Sequence, residues 1–169
     1  MIDTTDPIVI GFGGNVGEQV AIIERFRRAR EALGALGSVR AAPLYKGPPV
    51  GPPQPAFLNT AVAVRISDIQ PAELIANVLE IERLLGRDRS REVRWGPRPL
   101  DLDVLVWGLR VVRTSDLEVP HPRLLERRFA LEPVAALLGT DAIVPGAGTL
   151  EGLLARVATQ PFELIAETW

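Results

Sequence analysis

Between residues 8 and 107 the spacing of apolar residues switches repeatedly between a strand-like and a helix-like period. The order of those switches constrains the fold more than any other feature of the chain. IVIGFG at 8–13 is short, apolar and closed by glycine, as expected of a buried strand. From about Gly17 to Leu36 the residues Ile22, Phe26, Ala29, Leu33 and Leu36 recur at helical spacing, and Gly34 and Gly37 mark the end. Residues 38–46 read as a strand broken by Pro43, which cannot donate to a ladder and so favours an edge. GPPVGPPQP at 47–55 is too proline-rich to be regular and predicts a semi-rigid loop. In FLNTAVAVRI at 57–66, Leu58, Thr60, Val62, Val64 and Ile66 share one face, with Phe57, Asn59, Ala61 and Ala63 on the other. Pro71 opens a second helix striped by Leu74, Val78, Ile81 and Leu85 and stopped at Gly86. An Arg-laden loop at 87–100 then leads into the strand DLDVLVW at 101–107.

The resulting β-α-β-β-α-β order specifies an α+β, ferredoxin-like sandwich, an antiparallel sheet with two helices on one face. Residues from 110 onward are C-terminal additions: an extended RVV piece, the segment VPHPRLLERRF, a helix near 149–158 and a weakly strand-like tail. With 169 residues, no internal repeat and no linker, the chain 1–169 reads as a single domain. A net charge of −2 argues against a nucleic-acid coat or an anionic membrane surface as partner. No apolar run approaches the roughly 20 residues a membrane span needs. Acidic residues stand in MIDTTDPIVIGFGGN where a signal peptide would carry basic ones, so the expected location is cytoplasmic. The absence of cysteine excludes a disulfide framework, a thiolate metal site and a thiol nucleophile. Of 19 Lys and Arg residues only Lys46 is lysine, which fits either genomic composition or a need for forked phosphate binders.

Position separates those two readings. RDRSREVRWGPRPLDLD at 87–103 sets Arg87, Arg89, Arg91, Arg94 and Arg98 on a loop and then delivers Asp101 and Asp103. Two apart on a strand, the carboxylates point to one face roughly 6–7 Å apart at Cβ. Paired hard oxygens suit Mg²⁺, and guanidinium forks suit phosphate, so the stretch suggests phosphoryl or nucleotidyl transfer. The alternative is a solubilised edge strand beside a solvated loop. GFGGNVG at 11–17 lacks the third glycine of a dinucleotide fingerprint, and no Walker-type motif occurs, so its glycines are read as a sharp strand-to-helix turn. His121, the single histidine, lies between two prolines in V-P-H-P, which suits either a preorganised anion donor or a structural role. Arg127 and Arg128 could extend a positive rim. Phe57 and Asn59 could stack on and read a flat heterocycle, or Phe57 could be core. Trp107 and Trp169 are read as packing residues.

Taken together, GFGGNVGE, LYKGPPVGPPQPAFLNTAV, IERLLGRDR, RWGPRPLDLDVLVWG and VPHPRLLERRF resemble the 6-hydroxymethyl-7,8-dihydropterin pyrophosphokinase family. The match runs in order over most of the chain up to about residue 130. The resemblance implies transfer of diphosphate from ATP to the pterin's hydroxymethyl group, with release of AMP, as a step of folate biosynthesis. It implies Arg87, Arg98, Asp101 and Asp103 as catalytic residues, with Asp101 and Asp103 holding a pair of Mg²⁺ ions. ATP would be met by Glu82, Arg87, Arg89, Arg98, Val104, His121 and Arg127. The pterin would be met by Gly47, Pro48, Val50, Phe57, Asn59, Trp95 and Phe129, with Phe57 and Phe129 sandwiching its ring. Where many relatives carry Thr, Gly47 leaves only a backbone contact. A monomer is expected. Two other classes stay in view: a nucleotidyltransferase using D-x-D, which would release pyrophosphate, and a split-βαβ RNA-binding module. The RNA module would need central aromatics where Ala61 and Ala63 stand, and a basic net charge.

Overall fold

A computed structural model of the chain describes residues 6–169. At its centre lies β1 (Ile8–Gly14), antiparallel both to β4 (Phe57–Arg65) and to β5 (Asp101–Trp107). Beyond β4 come β3 (Leu44–Gly47) and the C-terminal β10 (Glu163–Ala166), giving the order β10-β3-β4-β1-β5. β2 (Ser38–Ala41) pairs with the far end of β4. Pro43 divides β2 from β3, and the interrupted ladder is closed by side chains. The Thr60 hydroxyl donates to the Pro43 carbonyl at 2.8 Å, and the Trp169 indole N–H to that of Ala42 at 2.8 Å. The edge position expected from Pro43 therefore holds for β2 but not for β3, which β10 covers.

α1 (Gln19–Gly34) and α2 (Pro71–Leu84) pack on one face through Ile22, Phe26, Ala29, Leu33, Leu74, Val78 and Ile81. They bury the stripe Leu58, Val62, Val64 and Ile66 together with Leu102 and Val104. Phe12, Phe26 and Trp169 form a ring cluster there with centroids 5.6–6.0 Å apart, and Trp107 is buried in the same layer. The sheet has helices on both faces, not on one. α3 (Arg128–Leu138) and α4 (Leu150–Val157) lie on the other face against Val9, Ala61, Ala63 and Leu105. α3 escapes pattern reading because Pro133 interrupts it. Proline in a helix interior removes one bond, and burial of Leu131, Val134 and Leu137 compensates here. Two short ribbons complete the chain: β6 (Val112–Arg113) with β7 (Glu118–Val119), and β8 (Ile143–Val144) with β9 (Gly148–Thr149). Among the described residues no helix is long and apolar enough to cross a membrane.

Candidate active site

α3 and α4 cover only part of their face, and an open cavity occupies the rest, lined by β1, β4, β5 and three connecting segments. The floor follows from the register. Gly13 lies opposite Asn59 on one side and Asp101 on the other, and Gly11 opposite Ala61 and Asp103. With no side chains at 11 and 13, the aromatic–amide half (Phe57, Asn59) and the carboxylate half (Asp101, Asp103) share one space. These two glycines stay within the strand; the turn read there comes later, at Asn15–Gly17. Gly14 has a separate reason. A Cβ on it would lie 2.8 Å from the Pro99 carbonyl, so only glycine lets the 98–99 segment close on β1.

The two aspartates share the cavity but not the same electrostatics. Asp101 accepts from Arg98 at 2.7 Å and from Arg87. Arg87 is buried and also contacts Glu82 and Glu92. Burial opposes its charge, but Glu92, Asp101 and Glu82 together hold it above the usual arginine range. The Arg87 hydrogen bond in turn holds Glu92 below the usual carboxylate range. Glu82 sits beneath the floor, 1% exposed, accepting the Leu102 backbone N–H at 2.7 Å and Arg89 at 2.7 Å. A buried charge persists only when its partners are this complete.

Asp103 has no arginine within ion-pair distance among the described residues, and its nearest basic group is the His121 imidazole, with Nε2 at 3.8 Å. Its side chain is 41% exposed to the cavity. The surrounding walls nevertheless limit its hydration. Burial, followed by the charges of Asp101 and Glu82, pushes its pKa up from 3.8 to about 7.

Beside the carboxylates the cavity wall carries the His121 imidazole and the guanidinium cations of Arg123 and Arg127. Burial and then Arg127 lower the His121 pKa. Its Nδ1 accepts the Arg123 backbone N–H at 3.1 Å, which places the proton of the neutral ring on Nε2. Burial and then Arg123 lower the Arg127 pKa, and its guanidinium lies 5.4 Å from the Phe129 ring centroid.

Two loops form the roof, and Asn15, 3% exposed, ties them together. Its side-chain amide donates to Gln54 Oε1 at 2.9 Å and the Pro55 carbonyl at 3.0 Å. Its Oδ1 accepts the Arg98 N–H at 2.9 Å, and its own N–H donates to the Arg98 carbonyl at 3.0 Å. Gln54 Nε2 donates to the Trp95 carbonyl at 2.6 Å. At Gly51 (φ 109°) a Cβ would fall 2.6 Å from Trp95 Cβ.

Of the residues singled out in the sequence, Pro48, Val50, Phe57, Asn59, Trp95, Arg98, Asp101, Asp103, His121, Arg127 and Phe129 line this one cavity. Gly47 stands at its rim, where a Cβ would be 3.6 Å from Asn59 Nδ2 and 3.9 Å from Phe129 Cβ. Glu82, Arg87 and Arg89 lie outside it, along a second depression with Leu79 and Asp88. The Val104 side chain is buried on the opposite face, under the helices. Arg128, read as part of the positive rim, turns away to Glu132 and the Ala158 and Gln160 carbonyls. Asn15, Gln54, Glu92 and Arg123 were not singled out. Asn15 gives no local signal because its partners are 39 to 83 residues away. Arg123 had one, two residues after His121 in P-H-P-R.

A carboxylate pair, a cationic wall and an aromatic recess on one antiparallel sheet define a site able to join a phosphorylated substrate to a flat ring. Comparison with known proteins narrows the class. Residues 9–139 match the profile of the family described as 7,8-dihydro-6-hydroxymethylpterin-pyrophosphokinase (HPPK). The 2-amino-4-hydroxy-6-hydroxymethyldihydropteridine pyrophosphokinase of Bacillus subtilis is 38% identical over 129 residues, 76% of this chain and 75% of that protein. Its namesake in Pseudomonas aeruginosa is 36% identical over 157 residues, 92% of this chain and 93% of that protein. Among solved structures, wild-type Plasmodium falciparum HPPK-DHPS with pteroate is similar in fold, with a TM-score of 0.68 at 11% identity. The match covers 92% of this chain and 45% of that longer one. The chain belongs to the HPPK family. It is an ATP-dependent diphosphotransferase of the pterin pyrophosphokinase type, which serves folate synthesis.

Proposed function

We propose that the chain 1–169 acts as one pyrophosphokinase domain. It moves the terminal diphosphate of ATP, in the presence of Mg²⁺, to the hydroxymethyl group of 6-hydroxymethyl-7,8-dihydropterin, leaving AMP. The observation that carries this reading is the single cavity that holds Asp101 and Asp103, Arg98, His121 and Arg127, and Phe57, Asn59 and Phe129. The strand order β3-β4-β1-β5, with α1 and α2 on one face, supports describing the core as a ferredoxin-like βαββαβ sandwich. The proposed catalyst is a monomer.

The donor set fits Mg²⁺. Asp101 and Asp103 are hard oxygen ligands on a rigid strand, and Asp103 has no arginine within ion-pair distance among the described residues, which leaves its oxygens open to a cation. Two ions held there, with ATP phosphates and water completing their shells, would screen the phosphate charge against the incoming hydroxyl. The remaining work falls to the chain itself. Phe57 and Phe129 hold the ring by its faces, Asn59 reads its edge, and Gly47, Pro48 and Val50 close the recess. Arg98, His121 through Nε2–H, and Arg127 hold phosphate oxygens, with Arg98 passing from Asp101 to the substrate. Arg87 fixes Asp101 from below, and Glu82 orients Arg87 and Arg89. Arg89, the exposed partner of Glu82, borders the nucleotide from outside the main cavity, whereas the buried side chains of Glu82 and Val104 do not reach it. Trp95 closes the roof and excludes water, which would otherwise hydrolyse ATP. Among the described residues Lys46 does not line the cavity, and His121 has its Nδ1 engaged by the Arg123 N–H and its proton on Nε2, so alignment and charge neutralisation supply the rate.

Incubation with ATP, Mg²⁺ and the hydroxymethyl dihydropterin, followed by chromatography, tests this. AMP forming only when the pterin is present supports the proposal. Release of pyrophosphate, or absence of pterin-dependent AMP, overturns it.

A further inference from the structure

Trp95 is the point where the roof meets the cationic wall. Its backbone lies in the left-handed region at φ 64°, which a non-glycine residue keeps only when surrounding contacts hold it there. Two of those contacts come from the 47–56 loop, through Gly51 and Gln54. The third is the Arg123 guanidinium, 4.1 Å from the indole centroid; the exposed Arg94 lies farther, at 5.6 Å. Arg123 has no carboxylate within ion-pair distance among the described residues. Its backbone N–H is already engaged with His121, so the residue belongs to the anion-facing segment. A guanidinium can stack its flat face on an aromatic ring and keep its edge N–H groups in plane for an anion, whereas a tetrahedral ammonium has no planar face to stack.

We infer that Arg123 is a positioning residue that latches Trp95, and with it the loop carrying Arg98, to the segment carrying His121 and Arg127. This rests on the reaction proposed above. A phosphate held at the edge of Arg123 fixes the guanidinium, the fixed guanidinium holds the indole, and the indole keeps the roof closed over the ring-binding recess. Nucleotide occupancy and roof closure are then linked, and by reciprocity each strengthens the other.

The test is a double-mutant cycle of Arg123→Lys and Trp95→Leu. It uses pterin-dependent AMP formation and binding of the Mg²⁺ complex of α,β-methylene-ATP, whose bridging carbon replaces the oxygen that must break. Lysine keeps the charge and loses the planar face. Arg123→Lys is expected to lower kcat/KM for the pterin roughly 3- to 30-fold, the range of a desolvated cation–π contact. In the Trp95→Leu background the same change should alter kcat/KM by less than about twofold, because coupled residues are not additive. Equal losses in both backgrounds, a rise in the analogue's Kd exceeding the rise in pterin KM, or no effect at all would each overturn the latch.

Failure of the proposed reaction reads out differently, as absence of AMP from the unmodified protein. In that event acrylamide quenching still tests the latch, since Trp107 and Trp169 are buried and Trp95 is the accessible indole. Arg123→Lys should increase quenching with the analogue bound. Unchanged quenching contradicts the inference.

Discussion

The two faces of the sheet carry the same strands to opposite ends. Under α1 and α2 the inward positions are apolar apart from Thr60 and Glu82, and the layer is closed by large side chains such as Phe26, Leu33, Leu74 and Trp107. On the other face β4 offers Ala61 and Ala63, small enough for α3 to lie close, and then Phe57 and Asn59, which nothing covers in the same way. β5 makes the same division, with Leu102 and Val104 in the dry layer and Asp101 and Asp103 in the open cavity. One face is therefore built to hold the chain together, and the other to leave charged and aromatic side chains open in a cavity. Stability and chemistry should respond separately to substitution on the two sides.

The sharpest way to break that separation is Asp103→Asn. Removing one of two oxygen ligands should lower turnover by about a thousandfold or more, the scale of several kcal/mol of lost charge stabilisation. The folded protein should remain at least as stable at neutral pH, read by thermal denaturation without Mg²⁺. On the closed face Phe26→Ala should do the reverse. It removes a fully buried ring, costs about 3–5 kcal/mol of unfolding free energy in a denaturant titration, and leaves kcat nearly unchanged at low temperature.

Glu82 sharpens the comparison because it belongs to α2 yet orients Arg87 and the β5 backbone under the cavity floor. Glu82→Ala should lower both stability and kcat, with about 3 kcal/mol lost on unfolding because Arg87 is left incompletely paired. A loss confined to stability would show that the buried network does not position the site. Asn15→Ala should cost less, about 1–3 kcal/mol, since it leaves the partly buried Arg98 N–H and Pro55 carbonyl without their partner. Its kcat should fall by more than its stability loss alone explains.

The smallest effect is on pH dependence. Asp103 has a folded pKa of about 7 against an ordinary 3.8, so the folded protein binds its proton more tightly. That contribution to stability is complete below about pH 4 and is lost as pH rises through about 7. Tm measured without Mg²⁺ should therefore slope downward across this window in the wild type, and less steeply in Asp103→Asn.

Much of this division was legible in the sequence, because it rests on local periodicity. The alternation of FLNTAVAVRI and the two-residue spacing of D-L-D assign sides directly, and the stripe of α2 stops where Gly86 follows it. What escaped depends on distant partners. The resemblance points to Glu82 for the nucleotide, but nothing local announces that the Leu102 N–H, Arg87 and Arg89 meet it beneath the floor. α3 was hidden by Pro133, and its placement is what turns the second face into a half-covered one. Gly11 and Gly13 were visible as glycines, but their use as an empty floor appears only once β4 and β5 flank them.

The most direct test of the account is a single-turnover rapid-quench measurement of AMP formation with ATP, Mg²⁺ and the hydroxymethyl dihydropterin. It compares the wild type, Phe26→Ala and Asp103→Asn at a temperature where all three are folded. A full burst from the first two and none from Asp103→Asn is the predicted outcome. A burst from Asp103→Asn at a rate within about tenfold of wild type, less than the loss of one transition-state contact, would contradict the assignment of chemistry to the open face.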